Sequence, residues 1–268
     1  MNKKYLLLIS LILFFIITLL VYLFELGGGS NDLLTNILYL IPPLLAVWAG
    51  VYIVRTYGSK NIHGKALTYI TMGLGAWLIG EIIWIIFEFI LVIDPFPSIA
   101  DFFYLIAYPF LLIGLIKEIK TGKIEWTPKS RAVILIISLL LTLVVIYFGI
   151  YLAYDLEATF LENSIAIFYG IGDIALIIAT MLVLMLALEY KEGKLFFCWL
   201  YFFIGMALTL IADILFAIYT EPYEAGIGLY YNIDLIWILG YLFFAYSLFT
   251  AGFVIREIPK SFLEKLQK

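Results

Sequence analysis

Long apolar runs alternate with short polar segments along nearly the whole chain. Each run is close to the roughly 20 residues that a helix needs to cross the hydrocarbon of a bilayer. Because an open sheet would leave backbone groups unpaired in lipid, the runs are predicted to be helices. The eight predicted spans are Tyr5–Phe24, Leu34–Val54, Leu67–Ile93, Ile99–Ile116, Ala132–Ala153, Ile165–Leu188, Phe196–Tyr219 and Ile233–Ile255.

The composition agrees with this pattern. Of the 268 residues, 65% are hydrophobic and only 13% are charged, and the mean hydropathy is +1.10. A soluble domain of this size could not bury so much apolar surface, which excludes a soluble enzyme, a nucleic-acid binder and a disordered chain. The predicted fold class is an all-α polytopic membrane protein with the lipid bilayer as a partner.

The basic residues predict the orientation of the spans. All sixteen Lys and Arg fall in alternate connecting segments, beginning with Lys3 and Lys4. In the other four segments, all the charged residues are acidic. By the positive-inside rule, both termini are predicted to be cytoplasmic, in a multi-pass protein of the plasma membrane.

The first span could instead be a cleaved signal peptide, because Lys3 and Lys4 precede its apolar run. The run is longer than a typical signal-peptide core, and no small-x-small cleavage site follows it before the acidic loop. We therefore expect a retained helix. Cleavage would leave seven spans in the same orientation.

A weak internal repeat has a period near 130 residues. Glu81 in the third span corresponds to Asp213 in the seventh, and Asp101 at the start of the fourth corresponds to Asp234 in the eighth. Both halves have four spans and the same orientation, so the repeat is parallel. The expected division of the single membrane domain is 1–116, a cytoplasmic linker 117–131, 132–255 and a cytoplasmic tail 256–268.

Carboxylates occur within or at the edge of the spans, where no Lys or Arg can pair with them. They are Glu81, Glu88, Asp101, Asp173, Asp213 and Asp234. An ionisable group facing hydrocarbon costs at least about 2.5 kcal/mol, so such groups usually face the interior of a helix bundle. From their positions, all six are expected on the outer side of the membrane.

Aromatic residues follow these acids at helical spacing, and together they predict one outward-facing pocket. Such a pocket suits a small cationic or hydroxylated ligand, by charge and cation–π attraction. The candidate ligand-binding residues are Glu81, Trp84, Asp101, Tyr104, Tyr108, Tyr169, Asp173, Asp213, Asp234, Trp237 and Tyr241.

Structural roles compete with this interpretation. Ser98 and Asp101 form a capping-box pattern, and Asn232 is placed to cap the last span with Asp234 in its first turn. Glu88 lies near enough to the surface to extend its carboxylate to water. The acids deeper in the spans are too far inside to act as caps.

The sequence contains one histidine and one cysteine, His63 and Cys198. This excludes a disulfide framework and any site that needs several imidazoles or thiolates, and no metal or cofactor is predicted. His63 is expected to be a solvated residue of a cytoplasmic loop. Cys198 is expected to be a small apolar packing residue.

An enzymatic role receives little support, and no catalytic residue is assigned. Gly170-Ile171-Gly172-Asp173 matches the G-x-G-D pattern of intramembrane aspartyl proteases, which need a second Asp at close range. Asp213 is the one credible second residue. However, no Tyr-Asp pair lies in an earlier span and no Pro-Ala-Leu follows.

Three stretches carry a family resemblance: Pro97–Pro109, Tyr169–Asp173, and Ala212-Asp213 followed by Asp234–Tyr241. They resemble motifs of the multi-helix membrane regions that precede diguanylate cyclase or histidine kinase domains in bacteria and archaea. Gly170 departs from the second motif, where Pro is usual. The resemblance implies sensing of a ligand or membrane state. Only thirteen residues follow Ile255, so output is expected through a separate cytoplasmic signalling protein.

Three functions therefore remain open from the sequence. The first is a membrane sensor or ligand-binding protein. The second is a transporter of protons, cations or small amines, which would explain the unpaired acids but needs a path through the apolar inner halves of the spans. The third is an intramembrane enzyme that uses Asp173 and Asp213.

Overall fold

A computed structural model describes residues 3–26, 32–124, 126–152, 154–189, 195–226 and 229–257. Eight helices in these ranges are long and apolar enough to cross a membrane, as predicted for a polytopic membrane protein. The helices are α1 (Lys3–Leu23), α2 (Leu33–Tyr57), α3 (Ile62–Ile85), α4 (Ile99–Ile119), α5 (Pro128–Val144), α6 (Phe160–Glu189), α7 (Leu195–Glu224) and α8 (Asp234–Arg256).

Two of these helices end in a π-helical segment, and one is preceded by a short 3₁₀ helix. α3 runs on as a π-helical segment, Ile86–Leu91, and α5 as another, Val145–Tyr151. A 3₁₀ segment, Tyr230–Ile233, leads into α8. Segments of π-helix are uncommon and are often found at functional sites, which makes their position relative to the acids of interest.

Six of the helices form a closed ring. The order around the ring is α2, α3, α4, α6, α7 and α8. Each helix packs against the next, and α8 packs against α2 to close the ring. This order is the one that a parallel repeat of two halves predicts. The outer helices depart from it, since α1 packs on α8 while the π-helical end of α5 packs on α6 and α7. The repeat therefore stays a prediction.

The ring is filled with apolar side chains at the end where the basic segments lie. These fully buried residues include Ile53, Leu74, Leu111, Leu115, Phe202, Phe244 and Ile255. Cys198 belongs to this core and is buried, which agrees with the packing role predicted for it. The other end of the ring is not filled in this way.

His63 was wrongly predicted to be a solvated loop residue. It lies in the first turn of α3, where its Nδ1 is 2.5 Å from Oε2 of Glu118 in the last turn of α4. Its ring also packs edge-on against Tyr57. The difference arises because α3 begins at Ile62 rather than Leu67: the side chain of Asn61 accepts the backbone N–H of Gly64 and caps the helix there.

The predicted cap of α4 is confirmed, whereas that of α8 is wrong. Ser98 N–H donates to Asp101 Oδ2 at 2.7 Å, as in a capping box. Asn232 lies inside the 3₁₀ segment and so lacks the extended conformation of an N-cap residue. Both polar atoms of its side chain are buried without a hydrogen-bond partner among the described residues.

Candidate functional site

One cavity opens into the unfilled end of the ring, among the segments that carry only acidic residues. Its volume is about 770 Å³. All eleven candidate residues named from the sequence line this cavity. Asp94, Asp155 and Glu221 also line it, so the cavity extends from the middle of the helices to the connections between them.

The lining contains many carboxyl groups and no basic counterpart. No Lys, Arg or His occurs among the described residues that line the cavity. The carboxylates in the lining are Glu81, Glu88, Asp94, Asp101, Asp155, Glu162, Asp173, Asp213, Glu221 and Asp234. The site was predicted because the spans contain no Lys or Arg, and the described lining of the cavity contains none either.

Glu81 occupies the centre of a hydrogen-bonded group contributed by several helices. Tyr104 of α4 donates to Oε2 at 2.9 Å, and Tyr241 of α8 donates to Oε1 at 2.8 Å. Tyr39 of α2 interacts with the same carboxylate. These hydrogen bonds give each carboxyl oxygen a partner inside the bundle, where Glu81 is only 7% exposed.

Asp173 and Asp213 lie close enough to interact electrostatically across the α6–α7 boundary. Tyr108 donates to Asp173 Oδ1 at 2.7 Å, and Trp237 Nε1 donates to Asp213 Oδ1 at 2.8 Å. Within the described part of the chain, no donor contacts Asp173 Oδ2. The residue is only 8% exposed, but Oδ2 is not among the buried polar atoms that lack a partner, so it is an unused acceptor that is accessible from the cavity.

The acids nearer to the segments that connect the helices also accept hydrogen bonds from tyrosine hydroxyls. Tyr169 donates to Asp101 Oδ1 at 2.6 Å, while the second oxygen of Asp101 caps α4. Asp234 accepts from Tyr223 at 2.7 Å and from Tyr22 at 3.1 Å. Capping and cavity lining are therefore not exclusive alternatives for Asp101.

Glu88 does not extend to the surface as the structural alternative suggested. Trp84 Nε1 donates to its Oε2 at 2.9 Å, and Glu88 lines the cavity. It lies in the π-helical segment after α3, and Val145 and Gly149 of the second π-helical segment line the cavity too. Both irregular segments thus border the candidate site.

A small residue directly before each deep acid positions the aromatic donor. A Cβ on Gly80 would lie 2.7 Å from the ring of Tyr104, and one on Gly172 would lie 2.3 Å from the ring of Tyr108. Both rings therefore lie against the helix and place their hydroxyls on the acid one residue later. A small, fully buried residue, Ala212, likewise precedes Asp213, which accepts from Trp237.

Sequence reasoning missed several cavity residues, above all Tyr22 of α1. Its hydroxyl contacts Asp234, its ring stacks on Tyr231 at 6.0 Å, and its backbone carbonyl accepts from the Tyr231 hydroxyl. The one signal in the sequence is a Tyr near the end of a span that leads into an acidic segment, which is not a distinctive pattern. α1 thus contributes to the cavity wall. Retention of this helix stays a prediction.

Trp77 forms the floor of the cavity. It lines the cavity and belongs to the apolar core, with its ring edge-on to Tyr108 and Tyr241 at 6.1 and 6.4 Å. Among the described residues, no three His, Cys, Asp or Glu side chains are grouped so as to hold a metal ion. The acids are instead distributed over the walls.

The chain matches no protein-family model, and no curated protein or solved structure matches it significantly. The resemblance to membrane sensor regions therefore stays a prediction that rests on the three motifs.

Proposed function

We propose that this protein is an integral membrane sensor that binds a small organic cation in the acidic–aromatic cavity. The observation that carries the proposal is the lining itself, in which ten carboxylates occur with no basic residue among the described residues. A volume of about 770 Å³ lies within the range of small-molecule sites, about 300–1,000 Å³.

The aromatic walls suit the same ligand class. Trp84, Trp237 and Tyr169 line the cavity, and the face of an aromatic ring attracts an ammonium group within about 6 Å of the ring centroid. Charge and cation–π attraction act on any ammonium group, including a quaternary one, and a protonated amine adds N–H donors that match walls made of carboxylate oxygens.

Sensing is favoured over transport by the packed end of the ring. A transporter needs a path to the other face of the membrane, and the buried residues beyond Trp77 fill the ring there. In this proposal, ligand binding changes the packing of the helices, and a separate cytoplasmic protein reads the change at the basic end. The cavity then faces the outside and both termini face the cytoplasm.

Labelling of single cysteines tests this orientation. A membrane-impermeant thiol reagent added to intact cells should modify Glu157→Cys and spare Lys123→Cys, because these residues lie in segments of opposite charge type. The parent chain is the control, since its Cys198 is only 3% exposed. Modification of Lys123→Cys but not Glu157→Cys would reverse the topology and overturn the proposal.

Binding is tested on the full chain in nanodiscs, with tetraethylammonium as the cation probe. We expect saturable quenching of tryptophan fluorescence, since Trp84 and Trp237 border the cavity, and at least tenfold weaker binding by Glu81→Gln. Glu157→Gln, an exposed acid outside the lining, is the matched control. Uptake of radiolabelled tetraethylammonium into proteoliposomes would favour the transporter instead.

A further inference from the structure

We propose that the ligand of the cavity is a linear polyamine, a chain with two or more ammonium groups separated by methylene segments. This inference rests on the proposed function, because it names the class of organic cation that the same cavity takes. Its support is the distribution of the acids along the cavity, one acid with an unused oxygen, and the apolar surface between the acids.

The carboxyl groups lie at widely separated levels of the cavity. Glu162 and Asp173 both line the cavity and lie on one helix, α6, eleven positions apart. At about 1.5 Å of rise per residue, their backbones are about 16 Å apart along the helix axis. A compact monovalent cation can approach acids at only one of these levels, whereas an extended polycation reaches both.

A metal ion suits this arrangement less well. A divalent cation needs several oxygen ligands within about 2.6 Å. The described residues contain no such group of three acids, because the carboxylates lie on different helices and at different depths. Charge spread over separate positions is complementary to charges separated along a chain.

The deep end of the cavity offers an acceptor to an ammonium group. Asp173 Oδ2 has no donor among the described residues, although the residue is only 8% exposed. This oxygen is not among the buried polar atoms that lack a partner, so it is accessible from the cavity, and an ammonium group offers it a hydrogen bond together with the opposite charge.

The wall between the two levels is apolar and aromatic. Ala166 and Tyr169 lie between Glu162 and Asp173 at helical spacing, and all four residues line the cavity. An ammonium group at each acid would therefore place the intervening methylene groups against the Tyr169 ring. This alternation of acid, apolar surface and acid is what a polyamine chain requires.

The test is equilibrium binding of radiolabelled spermine to the full chain in nanodiscs of phosphatidylcholine, which has no net charge of its own. Competition at fixed ionic strength by spermidine, putrescine and butylamine should weaken in that order, with spermine binding at least a hundredfold more tightly than butylamine. Equal affinity for butylamine and spermine, or displacement of spermine by an equal concentration of Mg²⁺, would overturn the polyamine assignment.

Two variants locate the binding site. Asp173→Asn and Glu162→Gln should each weaken spermine binding at least tenfold, and Glu157→Gln should leave it unchanged. Both replacements keep the local hydrogen bonds possible: Asn retains an oxygen for Tyr108, and Gln can accept the Thr159 N–H that Glu162 now accepts. Unchanged affinity in folded Glu162→Gln would contradict the extended binding mode.

The experiment separates this inference from the proposed function. Saturable binding of tetraethylammonium or butylamine, with no preference for spermine, would leave the cation-binding cavity in place and overturn only the polyamine. Absence of saturable binding for every organic cation tested would overturn both.

Discussion

Replacing His63 with leucine is expected to lower the free energy of unfolding by about 3 kcal/mol, the low end of the cost of removing one partner of a buried ion pair. The His63 imidazole contacts Glu118 at 2.5 Å, and the Glu118 side chain is only 6% exposed. Without the imidazole, this nearly buried carboxylate loses its partner. Denaturant unfolding in detergent micelles, followed by circular dichroism, measures the loss.

A double-mutant cycle distinguishes the pair from simple packing. Leucine at both His63 and Glu118 should recover much of the loss, because no unpaired charge then remains. The exposed pair Lys4–Glu257, at 4.0 Å, is the matched control, and Glu257→Gln should cost less than about 1 kcal/mol. A double variant as unstable as the single His63→Leu variant would contradict this account.

The number and approximate positions of the membrane-spanning helices could be predicted from the sequence. The reason is that the length of each apolar run and the alternation of basic and acidic segments can be read directly along the chain. Helix ends were less predictable where polar residues form them. α3 begins five residues before its apolar run because Asn61 caps it. The contact between His63 and Glu118 could not be read from the pattern, since it joins residues 55 positions apart.

The deep acids of the site were predictable for a physical reason: an acid in a span without a basic partner must face the interior. Their aromatic partners were only partly predictable. Tyr at the outer end of a span is also typical of the membrane interface, so Tyr22 gave no distinct signal. Its contact with Asp234 spans 212 positions and depends on α1 packing against α8.

The π-helical segments show another limit of sequence patterns. A continuous apolar run has the same composition whether it is wound as an α-helix or a π-helix, and the runs after Ile85 and Val144 contain no Pro that would mark a change. The sequence therefore places Glu88 in an ordinary helix, whereas it lies in the first of the π-helical segments and lines the cavity.

Replacing Gly114 with alanine is expected to destabilise the protein by about 1–3 kcal/mol, the usual cost of overpacking. A Cβ at this position would lie 2.9 Å from both the carbonyl oxygen of Ala66 and the backbone nitrogen of Ile70. Backbone atoms cannot rotate away as a side chain can, so α3 and α4 would have to separate.

Gly75→Ala in α3 is the matched control, and the expected sign is opposite. A Cβ on Gly75 meets nothing within 4 Å, so alanine should stabilise the helix by about 0.5–1 kcal/mol. Denaturant unfolding of both variants measures the contrast, and equal effects would contradict the proposed packing. Because α3 carries Glu81 and α4 carries Tyr104, separation of these helices in Gly114→Ala should also lengthen their hydrogen bond and weaken cation binding, which Gly75→Ala should leave unchanged.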